Sequence, residues 1–190
     1  MTMKKLLFAC LFFVAWPALG AELEGVKLDD KIAAGKQELV LNGLALRTRF
    51  FFKVYVAGLY LPQKTQSDQA ALEMPGAKRM TLVMLRDVDS DSFTQSLRAA
   101  LRDSNGEADL ERLKPQIDAL FAAMQRIGEA KKAAIIVLDF TPGAGTSLIV
   151  NGTVEMKPVA GDEFFAALLR IWIGQGPVAD QMKKSLLGTP

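Results

Sequence analysis

Apolar and polar positions change period several times along the chain, and each change marks an element. Arg47 to Leu61 (RTRFFFKVYVAGLYL) alternates and is rich in β-branched and aromatic residues, which predicts one long strand. On such a strand Arg47, Arg49, Phe51, Lys53, Tyr55, Ala57 and Leu59 share one face, while Phe50, Phe52, Val54, Val56, Gly58 and Tyr60 share the other. Upstream, Leu39 to Leu46 holds Asn42-Gly43 at its centre and predicts two short strands about an Asn-Gly turn. Lys78 to Leu85 and Ala133 to Phe140 read as further strands. Thr146 to Val150 and Thr153 to Lys157 flank Asn151-Gly152, a strong hairpin signal.

Between the strands the period lengthens. Gln63 to Ala77 predicts a small helix. Asp89 to Ser92 offers caps, and Phe93, Leu97, Ala100 and Leu101 follow at helical spacing. Leu110 to Ile127 continues as a helix whose stripe is Leu113, Ile117, Leu120, Phe121 and Met124, with Pro115 near its start. Asp162 to Trp172 and Val178 to Leu187 form a last helix pair, broken between Gly174 and Pro177. Strands and helices in alternating blocks predict an α+β domain, an antiparallel sheet with helices on one face.

The first 20 residues stand apart. Lys4 and Lys5 precede an apolar run, Pro17 and Ala18-Leu19-Gly20, which reads as a signal peptide cut after Gly20. The run is short for a membrane span, so residues 21–190 form one exported domain, periplasmic or secreted, with no span in the mature chain. A lipidation role for Cys10 is disfavoured, because more apolar chain follows it. Cleavage leaves 21 of the 23 basic residues against 21 acidic ones, and no cysteine. Nucleic acid is an unsuitable partner for so balanced a chain. A disulfide is excluded, and stability must come from the half-apolar composition. The whole sequence lacks histidine, which removes Ser-His and Cys-His mechanisms and argues against a transition-metal site or other cofactor.

Three segments hold candidate chemistry. Thr141 to Gly145 (TPGAG) has the glycines of a phosphate cradle but lacks the following Lys-Ser/Thr and leads into a strand, so a turn is the better reading. Arg86 to Ser92 (RDVDSDS) is acidic enough for calcium but lacks the glycine and distal glutamate of that loop, so helix capping is preferred. Arg47, at the head of the aromatic strand, is placed to hold a carboxylate at the mouth of an apolar pocket, with Arg49 as the competing anchor. The plain alternative is an amphipathic strand with Lys53 in water.

The run FFFKVYVAGLYLP (Phe50 to Pro62) resembles the signature strand of the chalcone isomerase-like proteins. LNGLALR (Leu41 to Arg47), MLRDVDSDSFTQSLRAAL (Met84 to Leu101) and ALLRIWIGQGPVADQMKKSLLG (Ala167 to Gly188) resemble three more of that family's segments, in the same order. The match is nearest to the exported bacterial branch. The resemblance implies an open-faced β-sandwich of chalcone isomerase type: a large antiparallel sheet, helices layered on one face, and a ligand cleft between the long strand and the helices. In the family's enzymes an arginine holds the chalcone oxygenate beside a hydroxyl network. In plant plastid relatives an arginine and a tyrosine hold a fatty-acid carboxylate without reaction. Carried over, the arginine falls on Arg47 and the strand threonine on Tyr55. The helix tyrosine falls near Phe93, the lysine and asparagine near Ser96 and Ala100, and the pair before the Ile-Gly break on Ile171 and Trp172. Lys53 and Tyr55 are expected on the cleft side of the strand or its rim.

Most of the polar lining is thereby replaced, and each lost donor to a developing oxyanion costs roughly 2.7–4 kcal/mol. The expected function is binding of a small apolar carboxylate resembling a fatty acid, without catalysis. An isomerase acting on a chalcone-like unsaturated ketone is the first alternative, and a structural or partner-binding envelope protein the second. Neither the ligand nor the oligomeric state is readable from the sequence.

Overall fold

The structure is a computed structural model, and it describes residues 20–189. The segment read as a signal peptide therefore lies outside the described residues apart from Gly20. A seven-stranded antiparallel sheet forms the centre of the fold, in the order β11-β10-β9-β6-β5-β4-β3. Its strands are β3 (Lys31–Ala34), β4 (Gln37–Arg49), β5 (Phe52–Leu61), β6 (Lys78–Met84), β9 (Ile135–Thr141), β10 (Gly145–Val150) and β11 (Thr153–Val159). Helices α2 (Ser90–Ser104), α4 (Lys114–Ile127), α5 (Asp162–Ile173) and α6 (Pro177–Leu187) layer on one face, with short α1 (Asp68–Glu73) and α3 (Glu107–Arg112). The large core lies between them, and joins Tyr55, Leu59, Met80, Leu82 and Leu138 of the sheet to Leu120, Phe164, Phe165, Leu168 and Leu186 of the helices.

The other face of the sheet is only partly covered. A small hairpin of β1 (Ala21–Leu23) and β2 (Val26–Leu28) lies there over a second cluster of Leu39, Leu41, Tyr60, Ala34 and Ala77. Further along, that face shows a cross-strand ion pair, with Arg79 donating to Asp139 at 3.0 and 2.7 Å. The α+β class and the open-faced sandwich expected from the resemblance are what the chain forms. Two-residue strands β7 (Val88–Asp89) and β8 (Glu129–Ala130) pair at the helix side.

Several local expectations are corrected. Asn42-Gly43 makes no turn. It sits inside the 13-residue strand β4, where Asn42 is an extra residue between the pairs Leu41↔Tyr60 and Gly43↔Leu59. The physical reason is α6. The Asn42 amide donates to Leu186 O at 2.7 Å and Thr65 O at 3.0 Å, and accepts from Thr65 N at 2.7 Å. A β-carbon on Gly43 would lie 2.3 Å from Ser185 O, so only glycine admits the helix end that close. The pair Asn151-Gly152 does make a hairpin turn, with φ of 50° and 83°.

The stretch Arg47 to Leu61 is also not one strand. The chain reverses at Phe50-Phe51, and Arg49 pairs with Phe52 across the turn. Arg47 and Arg49 therefore belong to β4 and lie beside Tyr55 and Phe52, not along the same strand. A second extra residue, Val54, stands between the pairs Arg47↔Tyr55 and Thr48↔Lys53. This bulge flips the alternation, and the face sharing Lys53 with Tyr55 does not exist. The helix predicted from Leu110 to Ile127 breaks at Leu113 into α3 and α4, and Pro115 falls in the first turn of α4. Thr141 to Gly145 is a turn between β9 and β10, closed by Ala144 N donating to Thr141 O at 3.1 Å. Asp89 caps α2, accepting from Ser92 N at 2.8 Å.

Candidate functional site

A cleft of about 260 Å³ opens where the turn end of the β4–β5 ribbon meets α2, α5 and α6. Its floor and walls are apolar: Val54, Phe93, Leu97, Ala100, Ile171 and Val178. The α2 side follows from helical spacing, which turns Phe93, Ser96, Leu97 and Ala100 toward the sheet. Arg47, Arg49 and Arg86 line it too. None of the ion pairs among the described residues involves any of these three arginines. Asp87 and Asp89 also line the cleft but are engaged. Asp87 accepts from Lys132 N at 2.7 Å, and Asp89 holds the α2 cap.

Two cross-strand neighbours form the polar centre. Tyr55 of β5 is 7 % exposed and stands opposite half-buried Arg47 of β4. Trp172 Nε1 donates to the Tyr55 hydroxyl at 3.0 Å. Among the described residues no acceptor takes the hydroxyl's own proton. Burial pushes the Tyr55 pKa up, against the opposing influence of the Trp172 hydrogen bond and the Arg47 charge. The phenol is thus held neutral as a donor. Arg47 is steadied by Gln181 of α6, whose Oε1 accepts from Arg47 Nη1 at 2.7 Å and from Thr48 N at 3.1 Å. Gln181 Nε2 donates in turn to Thr48 Oγ1. Arg49 donates to Ser96 Oγ at 3.1 Å, across the cleft from β4 to α2.

Of the candidate residues, Arg47, Tyr55, Phe93 and Ile171 come together around the cleft. Trp172 stands behind it and acts on it through Tyr55. Lys53 is a correction. The Val54 bulge turns it to the opposite face, where its ammonium donates to Glu24 of the β1–β2 hairpin at 2.6 Å. Gln181 and Arg86 were not singled out from the sequence. Gln181 is a polar residue on an amphipathic helix, and nothing local marks it as the support of an arginine 134 positions away. Arg86 lies in a segment whose acidic residues mark a helix cap, which masks its own role.

The arrangement can bind an anion with an apolar tail: guanidinium and phenol supply donors, and the walls supply burial. It is poorly equipped for proton transfer. Phe93, Ser96 and Ala100 line the cleft where the resemblance had implied a tyrosine, a lysine and an asparagine. Among the described residues no three carboxylates converge to hold a metal ion.

No curated protein sequence matches this chain. Among solved structures, a fatty-acid binding protein of Arabidopsis thaliana superposes with a TM-score of 0.66 at 16 % identity, covering 86 % of this chain and 92 % of the plant one. The family model described as chalcone isomerase-like matches residues 20–188, which span every strand and helix described above. The chain belongs to the chalcone isomerase-like family.

Proposed function

We propose that this protein binds a small apolar carboxylate, fatty-acid-like, in the cleft between the β4–β5 ribbon and the helices, and does so without catalysis. One observation carries the reading: a buried neutral phenol whose proton has no acceptor among the described residues stands opposite an arginine that no carboxylate among them neutralises. That pair offers a carboxylate two charge-assisted bonds from two directions, while apolar side chains take the tail. The fold shared with the plant fatty-acid binding protein supports the same ligand class. Absence of histidine, and Phe93 and Ala100 where the resemblance implies a tyrosine and an asparagine, support binding over ring closure.

The protein acts after export, as a periplasmic or secreted member of a bacterial branch of the family. Lys4, Lys5, the apolar run and Ala18-Leu19-Gly20 motivate this, and N-terminal sequencing of exported material should begin at Ala21. Full-length chain confined to the cytoplasm would refute it. The ligand reading is tested by mass spectrometry of lipids released from purified protein, followed by fluorescence titration with the species found. A chain that carries no acid and binds none would overturn it. Loss of a chalcone's visible absorbance on incubation with the protein would establish the isomerase instead.

A further inference from the structure

The cleft opens beside the most exposed apolar feature among the described residues. Phe50, Phe51 and Phe52 are 83 %, 97 % and 57 % exposed, in sequence, at the tip of the β4–β5 hairpin. Phe50 holds φ at 54°, a left-handed turn position that favours glycine, asparagine or aspartate. The equivalent strain in the β10–β11 hairpin falls on Asn151, as turn chemistry prefers. An aromatic ring kept in water at a strained position contributes little to folding, which points to a use outside the fold.

The charges around the tip indicate what that use is. The Arg49 guanidinium lies 5.9 Å from the Phe50 ring, and that of Arg86 lies 4.6 Å from the Phe52 ring. Among the described residues neither is in an ion pair, whereas Lys53 is paired with Glu24. Asp87 nearby is turned to the β8 end, where its carboxylate accepts from Lys132 N at 2.7 Å and shares Lys131, at 3.7 Å, with Glu129. The tip is therefore a small apolar cap with a cationic collar. We propose that it docks on a membrane surface rich in anionic lipid headgroups, with the rings in the interfacial layer and Arg49 and Arg86 on the phosphates.

Area argues against a second copy of this chain as the occupant. At 150–250 Å² per ring, the exposed parts of the three offer roughly 350–600 Å². A standard protein interface takes about 800 Å² from each side. Phe50, Phe52, Arg49 and Arg86 all line the cleft as well, so a docked tip sets the cleft mouth against the lipid. The inference goes beyond the proposed ligand: docking requires the tip and its collar, not an occupied cleft.

The test places a reporter at the tip. Phe51→Trp in the exported form proposed above, the chain from Ala21 onward, is compared with its parent, so that the emission of Trp172 is subtracted. Vesicles of phosphatidylglycerol and phosphatidylcholine with brominated acyl chains should blue-shift and quench the introduced fluorophore, less so as salt rises. Pure phosphatidylcholine should act weakly. Adding Arg49→Gln or Arg86→Gln should raise the vesicle concentration needed for half-quenching roughly fivefold for each charge removed. In the parent chain, Phe50→Ser with Phe51→Ser should lower flotation with anionic vesicles. Absence of quenching in folded Phe51→Trp protein would overturn the proposal. So would quenching indifferent to headgroup charge and to both arginines, or an emission shift that follows protein concentration without vesicles, which would mark an interface between copies.

Discussion

Asn42 and Val54 are both extra residues in the pairing of β4 with β5, one toward each end of the ribbon. Around Asn42 every polar group of the side chain is spent, on Leu186 O, Thr65 O and Thr65 N, and the α6 end closes directly over Gly43. Around Val54 the ribbon opens. Among the described residues Tyr55 keeps a donor unspent and the arginines lack carboxylate partners, and the turn beyond is exposed. The same backbone irregularity thus makes a seat at one end and a cleft at the other. What differs is whether the side chains find their partners inside the chain. Substitutions should therefore divide cleanly, with stability lost at the closed end and ligand lost at the open end.

The largest effect is expected at the seat. Asn42→Ala leaves the buried Leu186 carbonyl and the part-buried N–H and carbonyl of Thr65 unpaired and should destabilise by about 2–4 kcal/mol. Gly43→Ala should cost roughly 1–3 kcal/mol through overpacking against Ser185 O. Urea melts check both, and neither variant should lose ligand affinity once folded. A Gly43→Ala chain as stable as the parent would show that α6 is not held by this approach.

At the open end the order reverses. A guanidinium–carboxylate bond contributes about 1.5–3 kcal/mol, so Arg47→Ala should weaken fatty-acid binding roughly ten- to a hundredfold. Arg47→Lys should recover only part of this, because ammonium lacks the fork. Tyr55→Phe should weaken binding less, by one hydrogen bond. Fluorescence titration beside a thermal melt separates binding from folding. If Arg49→Ala loses affinity and Arg47→Ala does not, the anchor is Arg49.

Alkaline pH probes both ends at once. The Tyr60 hydroxyl donates to Asp29 O at 2.9 Å near the closed end, and burial, then the Asp29 charge, pushes its pKa to about 12. Tyr55 is raised by burial. Phenols whose pKa is raised by folding stabilise fully below the unfolded value near 10, and that stability is lost as pH climbs through the folded values. Urea midpoints should therefore fall between pH 10 and 12, and Tyr60→Phe should flatten part of the fall. Lys78, whose pKa burial lowers, acts in the opposite sense and blunts the trend. The smallest effect is expected from Lys53→Ala. Its ion pair with Glu24 is partly exposed, so stability should change by less than about 1 kcal/mol. Ligand affinity should not change at all, and a loss would return Lys53 to the cleft.

The sequence by itself determined most of the fold. The helix stripes, the Asp89 cap, the Asn151-Gly152 turn and the break at Gly174 to Pro177 are written in local spacing and turn chemistry, which act over a few residues. The site candidates Arg47, Tyr55, Lys53, Phe93, Ile171 and Trp172 came chiefly from the resemblance to the family, carried on motifs that lie on different elements. Tertiary structure alone decided the two bulges. Whether Asn42-Gly43 turns or continues depends on α6, whose contact comes 144 residues later in the chain. Whether Lys53 shares a face with Tyr55 depends on one residue of register against β4, and a single extra residue inverts the faces beyond it. Three consecutive phenylalanines look like core to any local rule. They stand in water because the strand pairing turns there, and no neighbouring element among the described residues covers the turn.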